Sequence, residues 1–312
     1  MSLSGQSFSA LPLNILNLNI ISPSTNSGAP KKLIVTGDDF GLSVPINEAV
    51  SQSHQKGILT STSLMVAAPE VDDAVARARE LPTLNVGLHL VLSNGRSCLP
   101  ASDIPDLVNA DGKFSNNLVI SGFKMFFMAK MKQQLKDEIR AQFEAFKATG
   151  LRLDHVNAHN HMHLHPTVFD AIIEIGKDYG MNAMRVPEEK PLKALIDNNK
   201  VKITKYASWL FLKPFTSRMK KQLRENNIKF NTNIFGLHHT GHMNLDTLVR
   251  ILPNLEDGLS EIYLHPATGQ WDDIDPAVKD YEFEAEYKAL IHPRIKRIIE
   301  KFSIELTSFH ET

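Results

Sequence analysis

A chain of 312 residues, 42% of them hydrophobic, can bury one large core or two ordinary ones. Its 34 basic and 35 acidic side chains nearly cancel, which excludes a global attraction to nucleic acid. No apolar run reaches the roughly 18 residues of a membrane span, and a single cysteine, Cys98, excludes a disulfide framework and suits a reducing, cytoplasmic setting.

In chain order, residues 1–30 are rich in Ser, Asn and Leu and carry no charged side chain before Lys31. A secretory signal needs a positive segment ahead of its apolar core, so this stretch reads as a poorly ordered extension. Residues 31–35 form a short apolar strand that runs into Thr36-Gly37-Asp38-Asp39-Phe40-Gly41. Neighbouring strand residues point to opposite faces, so both carboxylates serve one site only if the backbone turns there. Gly37 and Gly41 permit that turn. The plain alternative is a helix cap beside a surface acid. A helix follows over 44–56, stopped by Gly57. Strands are expected over 58–66 and 84–92, with a helix over 71–81 between them. His89 is the single titratable group in the apolar third strand. Alone it reads as a hydrogen-bonded core histidine; beside a site it reads as a ligand. Residues 93–117 are loop-like, with Pro100, Pro105 and Asp111-Gly112. Residues 119–147 read mostly as helix, carrying Phe123, Met125, Phe126, Phe127 and Met128 among Lys124, Lys130 and Lys132. This is a core stripe or a greasy flap that touches lipid.

The fourth strand enters Asp154-His155-Val156-Asn157-Ala158-His159-Asn160-His161-Met162-His163-Leu164-His165. Five of the 13 histidines fall within these residues, all at odd-numbered positions. In an extended strand they would share one face, which is costly in an apolar core and useful beside a metal or a polar substrate. The tract precedes a helix-like 166–173, so it marks a strand end entering a loop, where α/β folds place their chemistry. A fifth strand over 182–187 holds Arg185 near its end, either an anchor for a site carboxylate or a surface ion pair. Over 190–229, Lys and Arg are opposed only by Asp197 and Glu225, and Tyr206, Trp209, Leu210, Phe211 and Phe215 make an apolar patch among them. Such a segment suits an interfacial helix on anionic lipid, or a solvated helix with one core-facing side. Strands over 230–237, 261–266 and 304–309 complete the series, with His238, His239 and His242 after the first of these and His265 at the tip of the second. Strand and helix alternate and no sequence repeat is visible. The order predicts an α/β fold, a parallel (β/α) barrel of seven or eight strands over 31–312, with insertions at about 93–130 and 190–229.

In a closed parallel barrel all strand ends share one rim, so Asp38 and Asp39, His89, the His159 region and His265 can converge. One carboxylate and two imidazoles make a facial ligand set for a divalent ion, with positions left for water and substrate. The second carboxylate then suits a general base, and an acid such as His265 can protonate a departing nitrogen. Spacing does not choose between an amide and a phosphate ester.

A resemblance makes that choice. The stretches Gly37-Asp38-Asp39-Phe40-Gly41-Leu42-Ser43, Leu59-Thr60-Ser61-Thr62-Ser63-Leu64-Met65, Val86-Gly87-Leu88-His89-Leu90, Asp154-His155-Val156-Asn157-Ala158-His159 and Ile262-Tyr263-Leu264-His265-Pro266 resemble the YdjC family of carbohydrate deacetylases. Pro105-Asp106-Leu107-Val108, Glu138-Ile139-Arg140-Ala141-Gln142-Phe143-Glu144-Ala145-Phe146 and His163-Leu164-His165-Pro166-Thr167-Val168 resemble most its hopanoid-biosynthesis-associated branch. The resemblance implies a TIM-barrel-like fold and one divalent ion, magnesium or zinc, with His89 and His159 as its histidine ligands. By similarity to other sugar deacetylases Asp39 joins them and Asp38 is the base, a split that is reversible. Gly37 stands where many members have Ala. Arg185, His161 and His163 are assigned to substrate, and Asn160 faces it. The branch implies an acetylglucosaminyl-hopanoid as substrate, which would let the greasy, basic segments rest on a membrane face. A soluble chito-oligosaccharide substrate is the first rival, a non-catalytic metal-binding protein the second. A homodimer and a peripheral membrane contact are both compatible with the sequence.

Overall fold

The computed structural model describes residues 30–115, 128–191 and 199–312. The 1–30 extension is therefore outside the described residues up to residue 29, as are Phe123, Met125, Phe126 and Phe127 of the expected flap.

The strands are β1 (Lys31–Phe40), β2 (Ser61–Leu64), β3 (Asn85–Leu90), β4 (Val156–Ala158), β5 (Asn233–Phe235), β6 (Gly258–Leu264) and β7 (Ile304–Leu306). All the pairings are parallel, in the order β4-β3-β2-β1-β6-β5. Beyond β4, Val156 bridges Met184 and Ala183 bridges Lys229, shortly before β5, so parallel pairing continues around the ring. This is the curled sheet of a TIM-barrel-like fold, as expected. The fifth strand is reduced to these bridges for a visible reason: Val186 gives its N–H to Asn231 Oδ1 and its carbonyl accepts from Asn231 Nδ2. A side-chain amide has replaced the ladder, and Pro187 has no N–H to offer.

Among the described residues eight helices pack outside: α1 (Val44–Lys56), α2 (Val71–Glu80), α3 (Ala129–Ala148), α4 (Pro166–Gly176), α5 (Asn199–Glu225), α6 (Leu245–Ile251), α7 (Phe283–Leu290) and α8 (Pro293–Lys301). The start and stop of α1 follow from its sequence. Ser43 caps it by accepting from Ile46 N–H, Pro45 occupies the first turn, and the Gly57 N–H closes it on Ser53.

Strand parity sorts the core. On β1, Leu33 and Val35 face the main apolar layer between sheet and helices. Ile34 faces inward, where it meets Ala183 and Phe309. Above that small apolar floor the interior is polar, since Thr36, Asp38, Ser63, Asn157, Arg185 and Glu261 bond one another across strands. The expected eighth strand forms but is shorter than 304–309. β7 spans three residues and, among the described residues, pairs with the start of β1, ahead of the stretch that β2 takes. Phe309 then turns under the interior, against the His155 ring at 5.0 Å.

Candidate active site

Asp38 lies on the inward face of β1. Asp39 would point outward in a regular strand, but its φ of 64° turns it back into the interior. Asp tolerates that left-handed conformation better than most residues. The sequence placed this turn at Gly37 and Gly41. Gly41 does follow with φ of 97°, but Gly37 stays in the ladder, packed against Leu59 and Val50. The turn is held from α1, where Asn47 Oδ1 accepts from Gly41 N–H at 2.7 Å.

His89 comes from the end of β3. The histidine tract is not one extended strand: β4 ends at Ala158, and Asn160 and His161 have φ of 51° and 52°. The tract curls into a turn, which brings His159 over β1. Asp39, His89 and His159 each offer one ligand atom, all within 4.8 Å of one another. The His89 Nε2 is 3.2 Å, and the His159 Nδ1 3.1 Å, from Asp39 Oδ1.

The donor chemistry fits a cation. His89 Nδ1 donates to Asn157 Oδ1 at 2.6 Å, because the Asn157 amide nitrogen is committed to Ser63 and Asp38. With Nδ1 so engaged, His89 turns its Nε2 toward a carboxylate oxygen of Asp39. Only a proton or a cation between them makes the pair favourable, and the Asn157 bond is the orienting contact that metal-bound histidines use.

Asp38 is gripped from below. Arg185 spans its two oxygens at 2.5 and 3.0 Å, and Ser63 donates to it at 2.9 Å. Burial alone would raise its pKa, but Arg185 leads the interactions that hold it well below the usual carboxylate range. Asp39 is also held low; burial opposes this and His159 is the chief partner that outweighs it. His159 is correspondingly raised, against its own burial, by Asp39.

Arg185 takes the carboxylate-anchor role the sequence offered and departs from the substrate contact also assigned to it. It is fully buried, its guanidinium divided between Asp38 and Glu261, with the Tyr263 ring 4.7 Å away. It anchors a carboxylate and has no face for substrate. His161 donates to, or accepts from, the Tyr263 hydroxyl at 3.0 Å, and burial, reinforced by Arg185, pulls its pKa to about 3. His163 is fully buried and lowered for the same leading reason, with neither ring nitrogen bonded. Both are neutral. His265 sits at the end of β6 with its backbone N–H on Glu286, its Nδ1 buried without a partner, and its pKa lowered by burial in spite of Asp39 and Asp38. Asn160 donates to Ser93 Oγ at 3.1 Å.

Asn157, Ser63 and Glu261 were not singled out from the sequence. Parity would have found them: Asn157 lies between His155 and His159, and Glu261 is two and four residues before Tyr263 and His265, all on inward positions.

The family model described as YdjC-like protein matches residues 32–301. The carbohydrate deacetylase of Brevibacillus brevis is 31% identical over 287 residues, covering 90% of this chain and 99% of that one. That of Thermoanaerobacter pseudethanolicus is 26% identical, covering 89% and 98%. Among solved structures, an Enterococcus faecalis protein described as a candidate cellobiose-phosphate cleavage protein superposes with a TM-score of 0.69 at 22% identity, covering 90% of this chain and 98% of that one. This last likeness speaks for the fold.

Proposed function

The chain belongs to the YdjC-like family, and from that premise we propose that it is a metal-dependent carbohydrate deacetylase, hydrolysing the amide that joins an acetyl group to an amino sugar. The observation that carries the reading is the meeting of Asp39, His89 and His159 beside a second, separately anchored carboxylate, Asp38. A divalent ion held by those three supplies Lewis acidity, acidifying water and polarising an amide carbonyl.

The chain's own residues do the rest. Asp38, kept ionised by Arg185, orients a water molecule and accepts its proton. His89 is fixed in one tautomer by Asn157. His265, whose burial makes its imidazolium a stronger acid than one in water, delivers a proton to the departing nitrogen. His161, neutral and with no partner on Nδ1, lines the interior where the sugar's hydroxyls would be received, whereas His163 is as fully buried as Arg185 and offers them no face. Replacing Asp38 by Asn should lower amine release by about a hundredfold or more, with one ion per chain still bound in equilibrium dialysis. Activity that survives this change sinks the assignment of the base. Several ions per chain with no amine release would instead favour the storage-protein rival.

The substrate we favour is the acetylglucosaminyl headgroup of a hopanoid lipid, with magnesium or zinc as the ion. The branch-specific stretches support it, and so does the exposed apolar surface of α5. Amine release from the lipid-linked sugar, measured against diacetylchitobiose, tests it. A clear preference for the soluble sugar would transfer the assignment to chito-oligosaccharides.

A further inference from the structure

Seven large apolar side chains are exposed among the described residues, and five of them, Ile203, Tyr206, Leu210, Phe211 and Phe215, lie on α5. Single exposed apolar residues are ordinary, but a stripe on one helix is not. The spacing of three, four, one and four residues keeps them on one broad face. Leu210, Phe211 and Ile203 are 64%, 72% and 68% exposed. The two others, Val44 and Met128, stand at the first turn of α1 and the N-cap of α3.

The starts of α1, α3 and α5 share one end of the barrel. In a parallel barrel each helix begins at the rim where its preceding strand ends, which is also where Asp39, His89 and His159 meet. The stripe occupies the earlier part of α5, and contacts tie that part to rim loops. Lys205 Nζ lies 3.0 Å from His239 Nε2, and Trp209 and Leu212 line a small gap with Pro187, Leu237 and His238. Pro214, inside the helix, separates two regimes. After it Thr216, Met219 and Leu223 are buried; from 203 to 215 no residue is.

Charge completes the pattern. Lys205 and Lys213 punctuate the stripe, and 199–217 contains no acidic residue although the whole chain is balanced. We propose that the first half of α5 is an interfacial helix that seats the catalytic rim on an anionic lipid surface. The positive charge selects that occupant: a second copy of this chain would oppose lysine to lysine across a two-fold contact, whereas acidic headgroups neutralise them as the apolar face enters the acyl boundary. No helix among the described residues is long and apolar enough to cross a membrane, which agrees with lying on one. The inference extends the lipid-linked substrate reading, because a rim seated on a bilayer is where such a headgroup would be met.

Co-sedimentation with phosphatidylglycerol vesicles and with pure phosphatidylcholine vesicles tests it, using the full chain and the double variant Leu210→Glu, Phe211→Glu. Both positions are exposed, so folding should be unaffected, and circular dichroism checks this. The wild type is expected to sediment with the anionic vesicles and to be released by salt, and the variant to bind at least about tenfold more weakly. Both should release amine from diacetylchitobiose equally. Failure of the wild type to sediment, binding that ignores vesicle charge, or a wild-type dimer that the variant dissociates in size-exclusion chromatography would each overturn the proposal. Vesicle binding without any amine release would keep it and strike only the deacetylase reading.

Discussion

One amide, that of Asn157, touches both halves of the site. It accepts from His89 and donates towards Asp38 and Ser63, all without exposure to solvent. Asn157→Ala should weaken binding of a divalent ion by about ten- to a hundredfold, read by equilibrium dialysis, because His89 loses the partner that sets its tautomer. Arg185 is the second residue on which much depends. Two carboxylates share it in a fully buried cluster, and removing the cation leaves both uncompensated. Arg185→Met should cost about 3–5 kcal/mol in urea unfolding, and an unchanged midpoint would show that water reaches the cluster. Cys98 illustrates a residue of the opposite kind. Burial, then Glu138, pushes its thiol up to about 12, which keeps it from acting as a thiolate nucleophile.

At the scale of elements, the helices with clear punctuation were legible and the strands only coarsely so. Gly57 marked the stop of 44–56, and α1 and α2 occupy the expected 44–56 and 71–81 to within a residue. β4 was overrun because alternating histidines mimic an extended face, while the backbone curls at Asn160 and His161. Alternation reports which way side chains would point if the strand continued, and says nothing about where it stops. Gly87 on β3 shows how tightly the elements meet: a Cβ there would stand 2.5 to 2.7 Å from the ring of His155. Gly87→Ala should therefore destabilise the fold by about 1–3 kcal/mol, measured as a shift in the denaturation midpoint. A neutral result would mean that His155 has another place to go.

Across the whole molecule, stability should respond to pH through buried acids. Glu286 accepts from the N–H groups of Met243 and His265, yet burial dominates and raises its pKa from 4.5 to about 7. Below the unfolded value both states are protonated and nothing is lost. As pH rises from 4.5 towards 7 the unfolded chain releases this proton first, so unfolding becomes easier, and the loss is complete above about 7. The contribution is on the order of 3 kcal/mol. Glu286→Gln should flatten the fall in unfolding free energy over that window, and an unaltered slope would place the titration elsewhere, with Glu189, raised to about 7 by burial, as the next candidate. The class of fold, the acidic pair, the candidate ligand histidines and the basic, aromatic segment were all present in the order and types of residues, because periodicity and side-chain chemistry are local properties. The burial of Arg185 beneath Asp38, the double role of Asn157, the left-handed turn at Asp39 and the bare face of α5 emerged from the fold alone. Each depends on which distant strands stand side by side and which surfaces remain uncovered, and no local pattern carries that information.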